Sequence, residues 1–285
     1  MGSTGQLGSD AVRVLLSRGH EVMPLPHEVL EVADLEAVRV ALRAIRPDVV
    51  LNCAGYVRVD DAEDQAIEAF RINAIGALNI GKVCGEWGAT CVYVSTDFVF
   101  DGEKDTAYTE ADAPHPINVY GASKLAGEYL VSQSCNDWII IRVTSLFGKS
   151  GARGKGGNFV ETVLRKARAS ETLRVVADTR VSPTYTVDAT HALESLIVSG
   201  GRGVFHATNE GSCTWYEFAC KIVELAGIDV RVEPITASDY PFRARRPVNS
   251  ALRSERLERI EGAAPRPWVE ALKAYLQENG RTNVS

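Results

Sequence analysis

Apolar positions along the chain recur with two spacings. The stretch LGSDAVRVLLSRG sets Leu7, Ala11, Val14 and Leu15 on one helical face and stops at Gly19, which predicts a helix closed by glycine. HEVMPL reads as a short strand. DLEAVRVALRAIRP reads as an amphipathic helix begun by Asp34 and ended before Pro47, and DVVLNCA as a buried strand. The alternation continues with a long helix through AIEAFRINAIGALNIGKVCGEWG, a strand TCVYVS, a helix from about Tyr120 to Gln133 and a strand WIIIRVT. Strand and helix in regular turn predict an α/β protein with a doubly wound parallel sheet of Rossmann-like type. In such sheets ligands gather beyond the carboxyl ends of the strands.

The texture changes at residue 148. GKSGARGKGGN is a Gly/Lys-rich loop that reads equally as a solvated connector or as a flap over an anionic ligand. Helices follow in FVETVLRKARA, TVDATHALESLIVSG, TWYEFACKIVELAG and PWVEALKAYLQENG, the last two opened by Thr214 and Pro267. LRVVA and GVFHAT read as strands extending the sheet. Residues 1–147 are therefore expected to form one domain, with 172–206 returning to it. Residues 148–171 and 207–285 are expected to form a smaller C-terminal substrate-binding region.

Composition narrows the class. The 285 residues are 45% hydrophobic and 24% charged, which is ordinary globular usage and excludes disordered, collagen-like and coiled-coil readings. A net charge of -6 argues against general nucleic-acid binding. The six cysteines show no C-x-x-C pair and no metal-ligand spacing, and several lie in apolar runs, so reduced thiols and no metal are expected. No signal-peptide pattern and no uninterrupted apolar span is present, and Gln6 breaks the myristoylation pattern. A cytoplasmic protein without a membrane partner is expected.

Candidate chemistry falls at the places the fold favours. Gly2, Gly5 and Gly8 in MGSTGQLG have the spacing of a turn that lets a backbone approach a dinucleotide pyrophosphate at a helix N-terminus. VYGASKLAGEYL carries Tyr120 and Lys124 one helical turn apart, where an ammonium would favour the phenolate and bring the phenol nearer working pH. Two surface residues on one helix face would look the same, so position matters. The strand CVYV ends in STDFVFDG, which puts Ser95, Thr96 and Asp97 at a carboxyl edge. FRARRP supplies a dense basic cluster, Arg243, Arg245 and Arg246.

Taken together, TGQLG, RPDVVLNCAGYVRVDDAE, VSTDFVFDG, INVYGASKLAGE, GNFVETVLRKA, VSPTYTVDAT, GVFHATNEG and RRPVNSALRSERL resemble the extended short-chain dehydrogenase/reductase superfamily. They resemble its dTDP-4-dehydrorhamnose reductase family more closely, almost end to end. The resemblance implies reduction, by NADPH or NADH, of the 4-keto group of a nucleotide-linked 6-deoxy sugar. Tyr120 would donate the proton, Lys124 would hold the cofactor ribose and lower the Tyr120 pKa, and Thr96 would hydrogen-bond the sugar carbonyl. Gly2, Gly5, Gln6, Leu7, Gly8, Glu31, Val32, Ala54, Gly55 and Tyr56 would line the cofactor. Asp97, Ser145, Arg243 and Arg246 would meet the sugar nucleotide, and Asn73 would support the active-site backbone. A homodimer is left open. A second reading is a non-catalytic dinucleotide-binding subunit resembling the methionine adenosyltransferase β subunit, and a third an inactive shortened chain.

Three features depart from the family pattern. Family members place a hydrophobic strand before the glycine turn, at the centre of the sheet, and only Met1 stands there, so the first strand is expected to be missing through a late start. The end of the second strand offers Pro26, His27 and Glu28 rather than a clear ribose carboxylate, with no arginine for a 2'-phosphate, which leaves NADH against NADPH open. Ser145 stands where some members have a tryptophan.

Overall fold

The computed structural model describes residues 1–150 and 157–281. In chain order its principal elements are α1 (Gln6–Ser17), α2 (Leu35–Ile45), β1 (Val49–Asn52), α3 (Val59–Asp64), α4 (Ala66–Phe70), a π-helical turn (Arg71–Ile75), α5 (Gly76–Trp87), β2 (Thr90–Thr96), α6 (Val119–Ser134), β3 (Trp138–Val143) and β4 (Leu146–Phe147). There follow α7 (Phe159–Arg168), β5 (Leu173–Val176), β6 (Arg180–Val181), β7 (Thr184–Tyr185), α8 (Thr186–Val198), β8 (Gly203–His206), β9 (Cys213–Thr214), α9 (Trp215–Leu225), β10 (Val232–Ile235) and α10 (Trp268–Glu278). No helix among the described residues is long and apolar enough to cross a membrane.

β1, β2, β3 and β8 form the main sheet in that order, all parallel. Parallel strands are covered on both faces, and these are. Val83, Ile80, Tyr93 and Val131 fill one side, while Leu7, Val92, Ile139, Ile141 and Leu193 fill the other. The continuous apolar run Ile139–Ile141 is thus a strand buried on both faces. Asp34 caps α2 by accepting from the Ala37 amide at 3.0 Å, and Thr214 with Glu217 makes a reciprocal capping box at α9.

HEVMPL forms no strand. On the outer edge of β1 Met1 makes ladder-like bonds, its amino group donating to Leu51 O at 2.7 Å and its carbonyl accepting from Cys53 N at 3.1 Å. The alternating segment at residues 20–25 is irregular. The long helix predicted across residues 66–88 is continuous but passes through the π-helical turn. α3, absent from the sequence reading, precedes it. LRVVA does not extend the main sheet: β5 pairs instead with β10, whereas GVFHAT does join it as β8 beside β3.

A second core gathers α7, α9, α10 and the β5/β10 pair around Phe147, Leu164, Tyr185, Phe218, Leu272 and Tyr275. Its aromatic rings stack at 5.5 Å between Phe147 and Tyr185 and meet edge-on at 5.4 Å between Phe147 and Tyr275. α1 links the two cores, since Asp10 accepts from Thr186 of α8 at 2.5 Å.

Beneath the main sheet Glu128 of α6 and Arg142 of β3 form a buried bidentate pair at 2.9 and 2.7 Å, and Ser95 donates to the same carboxylate at 2.5 Å. Both charged side chains are almost fully buried, so each depends on the other. Arg142→Met should cost about 3–5 kcal/mol by leaving the carboxylate unpaired. Adding Glu128→Gln should recover most of that loss, because a neutral amide still accepts from Ser95. Urea midpoints of the three proteins check this, and a single variant as stable as the parent would contradict it.

Candidate active site

The cavity beyond the carboxyl ends of β1, β2 and β3 measures about 950 Å³ and runs from the glycine turn to the second core. At one end Gly2 takes φ +66, and a Cβ there would stand 2.7 Å from Ala54 N. A Cβ on Gly8 would run into the Gly2 carbonyl oxygen, and Gly5 N closes the turn onto the same oxygen at 3.0 Å. Only glycine permits this approach of α1 to the end of β1. The N-terminus of α1 has no side-chain cap and no acidic residue in its first turn. Ser3 Oγ and Gln6 Nε2 are buried there without a partner, as polar atoms awaiting an anionic ligand would be.

The cavity wall continues through Glu31 and Val32, then Ala54, Gly55 and Tyr56. Glu31 accepts from Ala33 N at 3.0 Å and from Arg71 at 3.2 Å. Arg71 thereby brings to this corner a cation the sequence reading did not place. Asn73 lies in the π-helical turn and holds both polar groups of Tyr56: its Oδ1 accepts from Tyr56 N at 2.8 Å and its Nδ2 donates to Tyr56 O at 3.1 Å. Tyr93 Oη donates to the Asn73 carbonyl at 2.8 Å. The extra residue of the π-turn thus aims Asn73 at the loop after β1.

α6 starts at Asn118, whose Oδ1 accepts from Gly121 N at 2.7 Å. That start fixes Tyr120 and Lys124 on the face packed against β2, where both are buried. The Tyr120 ring meets Phe98 edge-on at 5.8 Å. Burial raises the Tyr120 pKa to about 12, with the Asp97 charge adding to the rise and the Thr96 hydroxyl opposing it. Lys124 is turned to the backbone of β2. Its Nζ donates to Val94 O at 2.6 Å and lies 4.1 Å from the centre of the Tyr93 ring, and burial lowers its own pKa to about 7. An ammonium stripped of water gives up its proton more readily, so burial brings this lysine close to titrating near neutral pH.

Thr96 and Asp97 close the floor. The Thr96 hydroxyl donates to Asp97 Oδ1 at 2.9 Å and accepts from Phe98 N at 3.3 Å. Asp97 and the Phe98 amide thus hold the Thr96 hydroxyl in place. Asp97 also accepts from Thr144 at 2.9 Å, and burial raises its pKa against the pull of Ser250, Thr144 and Thr96. Ser145 lines the cavity in the left-handed region, φ +45.

Of the basic cluster the structure brings Arg246 to the cavity and not Arg243. The Arg243 guanidinium is taken by Asp61 at 2.6 Å and Asp64 at 2.5 Å on the outer face of α3. Arg245 contributes its carbonyl, which accepts from Asn118 at 2.9 Å. The far half of the cavity is lined by Asn158, Phe159, Lys166, Arg174 and Trp215, none of them singled out from the sequence. Asn158 could have been, since asparagine just before a helical run is a capping signal. The others come from separated segments with no shared local pattern. Of the Gly/Lys-rich loop, residues 151–156 lie outside the described residues.

A parallel α/β sheet with a glycine turn at its first helix and a buried Tyr-x-x-x-Lys helix beside it defines a Rossmann-like protein of the short-chain dehydrogenase/reductase type. The chain matches the family described as the RmlD substrate binding domain over residues 1–281. It is 39% identical to the spore coat polysaccharide biosynthesis protein SpsK of Bacillus subtilis, over 97% of this chain and 95% of that protein. A crystal structure of a dTDP-4-dehydrorhamnose reductase from Clostridium acetobutylicum superposes with a TM-score of 0.93 at 38% identity, covering 98% of each chain. That of the Bacillus anthracis dTDP-4-dehydrorhamnose reductase, in complex with NADP, gives 0.91 at 37% identity over 97% of each. The chain belongs to the dTDP-4-dehydrorhamnose reductase family.

The depressed Lys124 pKa fixes a sign for stability. Between about pH 7 and pH 10.5 the unfolded chain holds a proton on Lys124 that the folded chain does not, so this group's contribution rises with pH across that window. Below about pH 7 its burial cost is fully present. Lys124→Met should therefore raise the Tm most at about pH 6–7, with the gain shrinking towards about pH 10. A pH-independent gain would show that Lys124 is not held near neutrality.

Proposed function

We propose that this protein reduces the 4-keto group of a nucleotide-linked 4-dehydro-6-deoxy sugar, of the dTDP-4-dehydrorhamnose to dTDP-rhamnose type, using NADPH or NADH. The observation that carries the reading is Tyr120, a buried phenol that keeps its proton at neutral pH and lies at the carboxyl edge of the sheet. A group with that pKa is poised to give a proton to an oxygen that is gaining negative charge.

The residues at the glycine turn fit the cofactor. Gly2, Gly5 and Gly8 allow its pyrophosphate to approach, and the free α1 N-terminus with Ser3 Oγ and Gln6 Nε2 supplies donors for it. Gln6, Leu7, Glu31, Val32, Ala54, Gly55 and Tyr56 line the adjoining wall. When bound there, the reduced nicotinamide would supply the hydride.

The chain's own residues do the rest. Tyr120 gives its proton to the sugar O4 as the carbonyl becomes an alkoxide. Lys124, on the next turn of α6, donates to the cofactor ribose. In its protonated form it also stabilises the phenolate left on Tyr120. Thr96 orients the phenol, and Asp97 fixes the direction of the Thr96 hydroxyl. Asn73 holds the loop at Tyr56. Ser145 faces the sugar, and the second core receives the nucleotide.

Tyr120→Phe should lower the rate of NADPH oxidation with dTDP-4-dehydrorhamnose by about 10²–10⁴-fold while leaving NADPH affinity unchanged. Full turnover in that variant would remove Tyr120 from the chemistry. A parent protein that binds NADPH but reduces no 4-keto sugar would favour a binding subunit instead.

A further inference from the structure

The segment between β10 and Asn249 crosses the mouth of the cavity as a strap. Its far end is pinned where Asn249 Nδ2 donates to the carbonyls of Lys104 and Thr106 at 2.7 and 3.0 Å. Its near end is pinned where Ala237 N donates to Asp178 at 2.8 Å. Between these anchors Tyr240, Phe242 and Arg246 line the cavity.

Three donors of the strap converge on one carboxylate of α3. Asp60 Oδ1 accepts from the backbone amides of Arg243 at 3.1 Å and Ala244 at 3.0 Å, and Asp60 Oδ2 accepts from Arg246 Nη2 at 2.9 Å. The guanidinium of Arg246 is held from its faces as well, over the rings of Phe242 at 4.7 Å and Phe98 at 5.6 Å. Its side chain is only 18% exposed, against 54% for Arg243. The same strap is tied to the start of α6, because Asn118 both caps that helix and donates to Arg245 O.

We infer that Asp60 is a positioning residue: it holds the strap and the guanidinium so that Arg246 faces the cavity as a ready-made fork for the diphosphate of the nucleotide sugar. The inference rests on the reading of the cavity as a sugar-nucleotide site. Arg243 takes no part in that contact; its ion pairs to Asp61 and Asp64 serve as an outer tie for the strap. A guanidinium already fixed by one carboxylate and two rings loses little freedom when a phosphate arrives, which is why a fixed arginine binds more tightly than a free one.

Calorimetric titration with thymidine diphosphate separates the possibilities, with NADPH affinity as the measure of an intact fold. Arg246→Ala and Asp60→Ala should each weaken thymidine diphosphate binding by about tenfold or more, the size of one charge-assisted hydrogen bond. The double variant should be no weaker than Arg246→Ala alone, since Asp60 acts through Arg246. Asp60→Asn, which keeps an oxygen for the two amides and loses the charge, should fall between Asp60→Ala and the parent. Unchanged binding in Asp60→Ala, losses that multiply in the double variant, or no affinity in the parent would overturn the inference. A parent that follows this pattern yet reduces no keto sugar would remove the reductase reading and leave the role of Asp60 standing.

Discussion

The site depends on how completely α6 is kept from water. Asn118 sets the register of that helix, and the register turns Tyr120 and Lys124 towards β2 instead of solvent. One burial then has opposite effects on two groups. The phenol holds its proton more firmly and the amine less firmly, because the low-polarity surroundings penalise the charged form of each. A proton donor at neutral pH and a lysine whose charge answers to its neighbours follow from the same packing.

That packing is supported from below and from the side. Beneath the sheet the buried Glu128–Arg142 pair ties α6 to β3, at the cost of making two charges mutually dependent. Beside it, the π-helical turn frees the Asn73 carbonyl for Tyr93 and sends the Asn73 amide to the loop after β1. The glycine-turn end and the strap end of the cavity are therefore braced through one helix, with α1 closing the first by its glycines and the strap closing the second through Asp60.

Much of this is legible in the sequence alone. The parallel strands at 49–52, 90–96 and 138–143 announced themselves as apolar runs, and the helices as periodic faces with ordinary caps. Thr96 and Asp97 stood out as candidates because ligands gather at strand ends, and Tyr120 and Lys124 because they lie one helical turn apart. What escaped depended on tertiary neighbours. HEVMPL has a strand's pattern, but only a neighbouring backbone makes a strand. LRVVA is a strand whose partner, β10, lies far along the chain. Arg243 and Arg246 look alike in FRARRP, and only the three aspartates of α3 decide which of them reaches the cavity. The Lys124 pKa likewise depends on burial that spacing does not reveal.

The central claim is that hydride reaches the sugar at C4 within this cavity. Turnover of dTDP-4-dehydrorhamnose with NADPH deuterated at the nicotinamide C4, read by NMR of the product, tests it most directly. The account predicts one deuterium at C4 of the new 6-deoxy sugar and none elsewhere. Product without deuterium at C4, from either labelled face of the cofactor, would contradict it.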